Sequence, residues 1–243
     1  MELVFIVARS QDDSYDEFLG ASLSKIPGQR IHVGDKTDTV ISTAKKYNTG
    51  VKVAKDKGII TNDSIVVFVK NNVFINDTQL PEKLSFLFNE KPNISVVGVM
   101  GARELHIGEN LYAEKNQPVN GIIYAVDKDK GEYIEYTKKG LYDVVALDDS
   151  LIAVRGSQLV SMGDWNLFDF EVDKGFGVEI AIKSRRDGNN VVAADLGVIS
   201  EDSTDIDGGV MTDLIKHQGF NDTVTIDNIT VKVDINSVVD VEL

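Results

Sequence analysis

The sequence predicts an α/β protein whose mostly parallel sheet is flanked by helices. The main observation is the segment 47–75, which predicts a helix, a turn and an apolar strand that ends abruptly in polar residues. Within it, residues 65–69 form an unbroken apolar run, typical of a strand that is covered on both faces. A length of 243 residues and a hydrophobic content of 42% suit one large domain with a buried core.

The polar residues at the end of this strand predict a binding site. Lys70, Asn71 and Asn72 follow the apolar run directly. In open α/β sheets, ligands bind in the crevice outside the carboxyl ends of the strands. We therefore expect these three side chains to lie at a ligand-binding edge of the sheet.

The same segment resembles the nucleotide-sugar glycosyltransferases of the GT-A fold, especially their family 2-like group. Those enzymes carry an Ala-Tyr-Asn sequence followed by a helix, and then an apolar strand that ends in a His/Asp-x-Asp-Val motif. Tyr47 and Asn48 match the first motif, and residues 70–73 stand in place of the second. The resemblance implies a GT-A-like domain with a mixed, mostly parallel sheet, and it assigns Asn48 to the nucleotide-sugar site.

Earlier segments resemble the family in the same order. Residues 4–23 resemble its first strand and first helix, with Ala8 and Arg9 where the nucleotide is met. Residues 31–36 resemble its second strand. Asp35, after that strand, would receive the base or the ribose, and a plain turn is the alternative.

Later segments resemble the part of the family that lines the sugar and acceptor site. Residues 147–159 resemble a Val-Asp-Gly-x-x-x-Ala-x-Arg-Arg-Ser segment, which places Asp148 on its aspartate and Arg155 on its arginine. Adjacent aspartates point to opposite faces of an extended chain, so at most one of Asp148 and Asp149 enters the site. We select Asp148 because it matches the family residue, and a capping or turn role is the alternative.

The expected catalytic base is Glu179 or Asp148. An inverting sugar transfer needs a carboxylate that takes the proton of the acceptor hydroxyl. The residue spacing near Glu179 is ambiguous, and the resemblance favours a helix there. In the first turn of that helix Glu179 would meet the positive end of the macrodipole. A plain N-terminal helix carboxylate is the alternative.

The departures from the family fall on its metal ligands. In the family, an aspartate at the strand end and a later histidine hold a divalent cation that neutralises the diphosphate. Here the strand ends in two asparagines, a Phe-Gly-Val-Glu sequence replaces Tyr-Asp-x-Asp at 176–179, and residues 197–203 contain no histidine. Magnesium and manganese prefer carboxylate oxygens, so we expect no metal cofactor and keep these two ions as the alternative.

Two hypotheses about function follow. In the first, the Lys70 ammonium replaces the cation, Arg9 and Arg155 add positive charge, and a sugar moves from a nucleoside diphosphate sugar to an unidentified acceptor. In the second, the domain has kept the fold and lost the reaction, and it serves as a structural or interaction protein. Many Asn and Asp residues and only 4 prolines suggest a bacterial or bacteriophage source. In a bacteriophage, the second role would be in a virion or its assembly.

Composition argues against several other classes of function. A net charge of −14 argues against a nucleic-acid partner, although Lys183, Arg185 and Arg186 form a local basic patch whose alternative is a solvated helix face. The absence of cysteine excludes disulfides and thiolate catalysis. No apolar run approaches the ~20 residues of a membrane-spanning helix. With no leader pattern at the start, the sequence predicts a cytoplasmic protein, or a virion component if it is viral.

The chain is expected to divide into a GT-A-like domain, residues 1–207, and a β-rich extension, residues 208–243. Residues 210–220 predict a short helix, and residues 222–243 alternate like a β-hairpin. Because exposed strand edges invite pairing, these strands predict a homo-oligomer or an assembly partner. A second hairpin at 124–136 is expected to project over the acceptor side.

Overall fold

The computed structural model describes most of the chain up to residue 200. The described residues are 1–9, 19–34, 41–106, 108–119, 123–127, 132–135, 140–161, 174–200, 213 and 216. Within them the helices are α1 (Leu19–Leu23), α2 (Thr43–Asp56), α3 (Leu80–Glu90), α4 (Gly156–Ser161) and α5 (Phe176–Arg186), with a 3-10 helix at Glu114–Asn116. Asp35 and, apart from two helical residues, the predicted extension 208–243 lie outside this part of the chain.

The strands form one large sheet and two small ones. They are β1 (Glu2–Ala8), β2 (Gln29–Val33), β3 (Ser64–Lys70), β4 (Val73–Ile75), β5 (Ile94–Gly98), β6 (Gly101–Ala102), β7 (Pro118–Val119), β8 (Ile123–Asp127), β9 (Glu132–Glu135), β10 (Leu141–Asp143), β11 (Ala146–Leu147), β12 (Leu151–Arg155), β13 (Asn190–Ala194) and β14 (Val198–Ser200). The large sheet has seven strands in the order β10-β13-β5-β12-β3-β1-β2. Strands β12 and β10 run antiparallel to their neighbours, and the other pairings are parallel. This mixed, mostly parallel sheet confirms the predicted fold class.

Apolar side chains cover both faces of the large sheet. In β1, Phe5 and Val7 belong to one core cluster, whereas Val4 and Ile6 belong to the other. Every residue of β3 before Lys70 is buried. A strand between two cores cannot show the polar alternation of a half-exposed strand, which explains the continuous apolar run.

Helix α2 packs closely on the sheet. Its N-cap Ser42 accepts a hydrogen bond from the backbone N–H of Lys45 at 3.3 Å. Gly50 lets the helix approach β1, since a Cβ at this position would lie 2.4 Å from Cγ2 of Ile6. The same face buries Tyr47 completely. The close packing of α2 therefore holds the Tyr47-Asn48 motif against the sheet.

The strand directions decide which residues share an edge. In the parallel pairing, Ala8 of β1 lies opposite both Lys70 of β3 and Val33 of β2, so the three carboxyl ends meet. Strand β12 is antiparallel to β3, and its first residue, Leu151, pairs with Val69. The residues just before β12 therefore reach the same edge as Lys70.

The predicted basic patch on α5 is not a single solvated face. Arg185 is 3% exposed. Its guanidinium donates to the carbonyl of Val144 from Nε at 3.0 Å and to the carbonyl of Val191 from Nη2 at 2.9 Å, and it also pairs with Asp143. This arginine holds α5 to two neighbouring segments, because helix burial, not the local spacing of basic residues, determines where it points.

The smaller sheets border the large one. One has the order β4-β14-β8-β9 and the other β11-β6-β7. Strands β8 and β9 pair antiparallel, which confirms the hairpin expected at 124–136; its predicted turn lies outside the described residues. In the part of the chain that is described, no helix is both long enough and apolar enough to cross a membrane.

Candidate functional site

Three residues predicted to meet the nucleotide converge at the carboxyl edge of β1–β3. Ala8 and Lys70 are opposite each other in the sheet. The backbone N–H of Arg9 donates to the carbonyl of Val33 at 2.8 Å, which continues the β1–β2 pairing past Ala8. The carbonyl of Arg9 in turn accepts a hydrogen bond from Nζ of the buried Lys46 at 2.8 Å. Arg9 is therefore anchored through both its backbone N–H and its carbonyl.

Lys70 contacts an aspartate and an aromatic ring at this edge. Its Nζ lies 3.8 Å from Oδ2 of Asp149 and 5.7 Å from the centroid of the Phe176 ring. The side chain is 15% exposed. Lys70 thus places a positive charge at the strand end where the family carries a metal ligand.

Asp149 joins Lys70 to the start of α5. Its side chain is fully buried, and its two oxygens accept hydrogen bonds from the backbone N–H groups of Gly175, at 2.5 Å, and Gly177, at 2.7 Å. Burial raises the pKa of the Asp149 carboxyl, although Lys70 and the two N–H groups lower it. The first amides of a helix carry partial positive charge, so this carboxylate caps the N-terminus of α5.

An aromatic cluster lies beneath the ion pair. Tyr47 makes edge-on contacts with Phe68, at 5.1 Å between centroids, and with Phe176, at 4.9 Å. Burial raises the pKa of the Tyr47 hydroxyl well above its ordinary value, and the charge of Asp149 adds to the effect. These rings connect α2, β3 and α5 into one support for Lys70.

Asp148 faces a different group of residues from Asp149. Its Oδ2 accepts hydrogen bonds from Oγ of Ser150 at 2.7 Å and from the hydroxyl of Tyr112 at 3.3 Å. Its side chain is buried, and its backbone N–H donates to the carbonyl of Met100 at 2.9 Å. The structure therefore places Asp149 beside Lys70, and it places Asp148, the candidate site residue, beside Ser150 and Tyr112.

Glu179 lies in the first turn of α5, as the resemblance predicts. Its side chain is fully buried, and Oε1 lies 3.0 Å from Nζ of Lys183, one helical turn further on. The buried carboxylate is thus compensated by a lysine of its own helix.

Arg155 is separated from the strand-end residues. It pairs with Ile65 at the amino end of β3, whereas Lys70 is the last residue of that strand. Its guanidinium donates to the carbonyl of Ile94 from Nε at 2.6 Å and to the carbonyls of Phe88 and Lys91 from Nη2. Burial lowers the pKa of Arg155. The structure does not bring it together with Lys70, because β12 runs antiparallel.

The predicted asparagines occupy two places. Asn71 and Asn72 form the turn between β3 and β4 and are half-buried. Asn48 is half-buried on α2, next to Tyr47. The two turn residues lie directly beyond Lys70, whereas Asn48 lies on α2, where its place in the site stays a prediction.

The described donor groups at this edge do not fit a divalent cation. Among the described residues, no group of three or more His, Asp or Glu side chains could hold a metal ion. Lys70 and two neutral amides stand at the strand end, and the buried carboxylate beside them, Asp149, already accepts two backbone hydrogen bonds. An ammonium next to the site repels a cation, so this arrangement favours an anion.

The contacts of Asp149, Lys46 and Tyr112 are not among those that the sequence predicts for the site. One signal for Asp149 is present, because the family segment carries glycine where this chain has a second aspartate. Nothing local marks Lys46 or Tyr112, whose partners Arg9 and Asp148 are 37 and 36 positions away.

Comparisons with known proteins agree with this architecture. A model of a glycosyltransferase-like family matches residues 4–192. No curated protein matches the chain. A crystal structure of GalNAc-T7 with UDP, GalNAc and Mn²⁺ matches with a TM-score of 0.53 and 10% identity, over 83% of this chain and 44% of that one. The structure of A197 from STIV matches with a TM-score of 0.48 and 10% identity, over 84% of this chain and 95% of that one. The GalNAc-T7 match shows the GT-A-like fold, and this chain spans less than half of the GalNAc-T7 chain.

Proposed function

We propose that this chain, which belongs to the glycosyltransferase-like family, binds a nucleoside diphosphate sugar and transfers the sugar to an acceptor. One observation carries the proposal: Ala8, Arg9 and Lys70 meet at the carboxyl edge of β1–β3. Ligands of open α/β sheets bind at that edge.

In this proposal Lys70 takes the place of a metal ion. A departing nucleoside diphosphate carries negative charge, and a lysine ammonium is an effective point charge for phosphate. Nζ of Lys70 is held over Phe176 and near Asp149, at the end of β3. Arg9, which directly follows β1, adds a second charge, and Asn71 and Asn72 supply amide groups beside the diphosphate. Arg155 is left out of the site because it lies at the other end of β3.

We place the acceptor side near Asp148. Asp148 lies close to the strand-end edge, since the carbonyl of Ser150, two residues further along the chain, accepts the backbone N–H of Lys70 at 3.2 Å. Hydrogen bonds from Ser150 and Tyr112 orient it. Asp148 is therefore our proposed base, and Glu179, which pairs with Lys183, is the second choice.

A non-catalytic binding or assembly role is the second candidate function. One observation favours it: Asp148, Asp149 and Glu179 are all fully buried and all have internal partners. A base must reach the acceptor hydroxyl, so catalysis would require one of these carboxylates to become accessible. A binding protein has no such requirement.

The test is thermal unfolding with UDP, GDP, CMP and TDP, each with manganese and with a chelator. A ligand that binds only the folded state raises the midpoint. We expect a shift with a nucleoside diphosphate that survives the chelator, and about tenfold weaker binding, or about 1.4 kcal/mol, in Lys70→Met. The matched control is Lys57→Met, which removes an exposed lysine just after α2.

Each outcome separates the alternatives. A shift only with manganese would mean that a divalent cation takes part and would refute the role of Lys70. A nucleotide shift without turnover of any nucleotide sugar would favour the binding role. Equal shifts in Lys70→Met and Lys57→Met would place the ligand elsewhere, and no shift with any nucleotide would refute the proposed function.

A further association is proposed through the predicted strands at 222–243. Their alternation implies one apolar face that packs on the main domain or on a second copy. Light scattering at micromolar concentration is expected to show an oligomer, and a monomer would contradict this proposal.

A further inference from the structure

The two members of the ion pair between Lys70 and Asp149 are held in place by different numbers of contacts. Asp149 is fully buried, and both of its oxygens already accept backbone hydrogen bonds, from Gly175 and Gly177. The 3.8 Å separation between Nζ and Oδ2 exceeds the ~2.8 Å of a direct charge-assisted hydrogen bond. The aspartate would therefore keep two partners and the N-terminus of α5 if Lys70 moved away.

Among the described residues, Lys70 has fewer close contacts than Asp149 to hold it in place. Besides Asp149, its ammonium lies over the face of Phe176 at 5.7 Å, and its side chain is the partly exposed member of the pair. Neither contact is a close hydrogen bond. A stronger anion at the sheet edge could therefore take the ammonium from Asp149.

We propose that Asp149 is an internal counter-anion that competes with the diphosphate for Lys70 and so sets the affinity of the site. In the free protein Asp149 neutralises Lys70, and the diphosphate replaces it when the ligand binds. This inference rests on the proposed function, in which Lys70 contacts the diphosphate. Asp149 is then an affinity-determining residue that acts through Lys70.

The direction in which anion affinity changes when Asp149 is replaced distinguishes this role from a supporting one. If Asp149 only positioned Lys70, its removal would weaken anion binding. If it competes for Lys70, replacing the carboxylate by a neutral amide strengthens anion binding. Unit charges a few ångströms apart at a partly buried site interact strongly enough to change an affinity by about tenfold.

The experiment is calorimetric titration with inorganic pyrophosphate and with UDP, in the presence of chelator and well below the unfolding midpoint. The variants are Asp149→Asn, Lys70→Met and the double variant. We expect Asp149→Asn to bind about tenfold tighter than the wild type, and the gain to fall to about threefold or less in the Lys70→Met background. Asp143→Asn is the control, because it removes an aspartate paired with Arg185 instead of Lys70.

Three results would overturn the inference. These are no gain or a loss of affinity in Asp149→Asn, an equal gain with and without Lys70, and an equal gain in Asp143→Asn. The second would mean general repulsion of anions, and the third a nonspecific effect of net charge.

Urea unfolding without ligand separates this inference from the proposed function. If the pair exists, the losses in unfolding midpoint caused by Lys70→Met and by Asp149→Asn are not additive in the double variant. Additive losses would show that the two side chains do not interact, and would refute the role of Asp149 as a counter-anion. If the wild type binds UDP through Lys70 and Asp149→Asn shows no gain, the inference alone fails. If the losses are not additive and no variant binds either ligand, the proposed function fails, and with it the competition.

Discussion

Replacing Arg155 by methionine is expected to destabilise the fold without weakening nucleotide binding. The guanidinium donates to the carbonyls of Ile94, Phe88 and Lys91, and it lies 4.8 Å from the centroid of the Phe88 ring. These contacts join the end of β12 to the C-terminus of α3 and the start of β5. The exposed carbonyls at a helix C-terminus favour a cation.

The expected loss follows from the number of contacts. Three hydrogen bonds from a half-buried charged donor contribute about 1 kcal/mol each after allowance for water, and the ring contact adds about 0.5 kcal/mol. Some carbonyls regain water in the variant, so we expect a net loss of about 2–3 kcal/mol. With a urea m-value of about 2 kcal/mol/M, the midpoint falls by about 1–1.5 M.

Far-UV circular dichroism in urea measures this change, and the nucleotide titration measures binding. Arg155→Lys keeps the charge but cannot reach three carbonyls, so it should lose more than half of the stability that Arg155→Met loses. Arg186→Met, an exposed arginine on α5, should change stability by less than about 0.5 kcal/mol. If Arg155→Met left stability unchanged and weakened UDP binding about tenfold, Arg155 would contact phosphate and our account of it would be wrong.

Other perturbations test the support around the site. Arg185→Met should cost about 3–5 kcal/mol in urea unfolding, because this 3% exposed arginine bonds two buried carbonyls and an aspartate; a loss below 1 kcal/mol would contradict that role. Gly177→Ala should cost about 1–3 kcal/mol, since its Cβ would lie 2.4 Å from the carbonyl oxygen of Asp148, and an unchanged midpoint would show that α5 can shift freely. Burial raises the folded-state pKa of Asp149, so the folded state binds more protons than the unfolded state in the window between pH ~3.9 and that raised pKa. The stability of the wild type relative to Asp149→Asn should therefore fall as pH rises through that window, and a relative stability that rises with pH would refute the raised pKa.

Much of the fold is readable from the sequence. The run at 65–69 lacks polar residues because β3 is covered by both core clusters, so periodicity and length identify it as a central strand. Its polar end coincides with the end of the strand at Lys70. The first turn of α5 likewise contains Glu179, as the resemblance predicts.

The choice between the two aspartates is not readable in the same way. Asp148 and Asp149 are both buried, and their side chains diverge toward Tyr112 and Lys70 respectively. The alternation of an extended chain predicts that they diverge, but not which one meets Lys70. That depends on the position of α5, whose first amides capture Asp149.

The pattern of apolar and polar residues is enough to predict the fold class, the buried central strand and its polar end, because burial pattern and strand period are local properties. Which charges share an edge of the sheet depends instead on how distant segments pair in the folded chain. Five residues in an extended conformation look alike in a parallel and an antiparallel strand, and the antiparallel pairing of β12 carries Arg155 away from Lys70 while it brings Asp149 close. Strand direction is set by long-range pairing, and no short stretch of sequence contains that information.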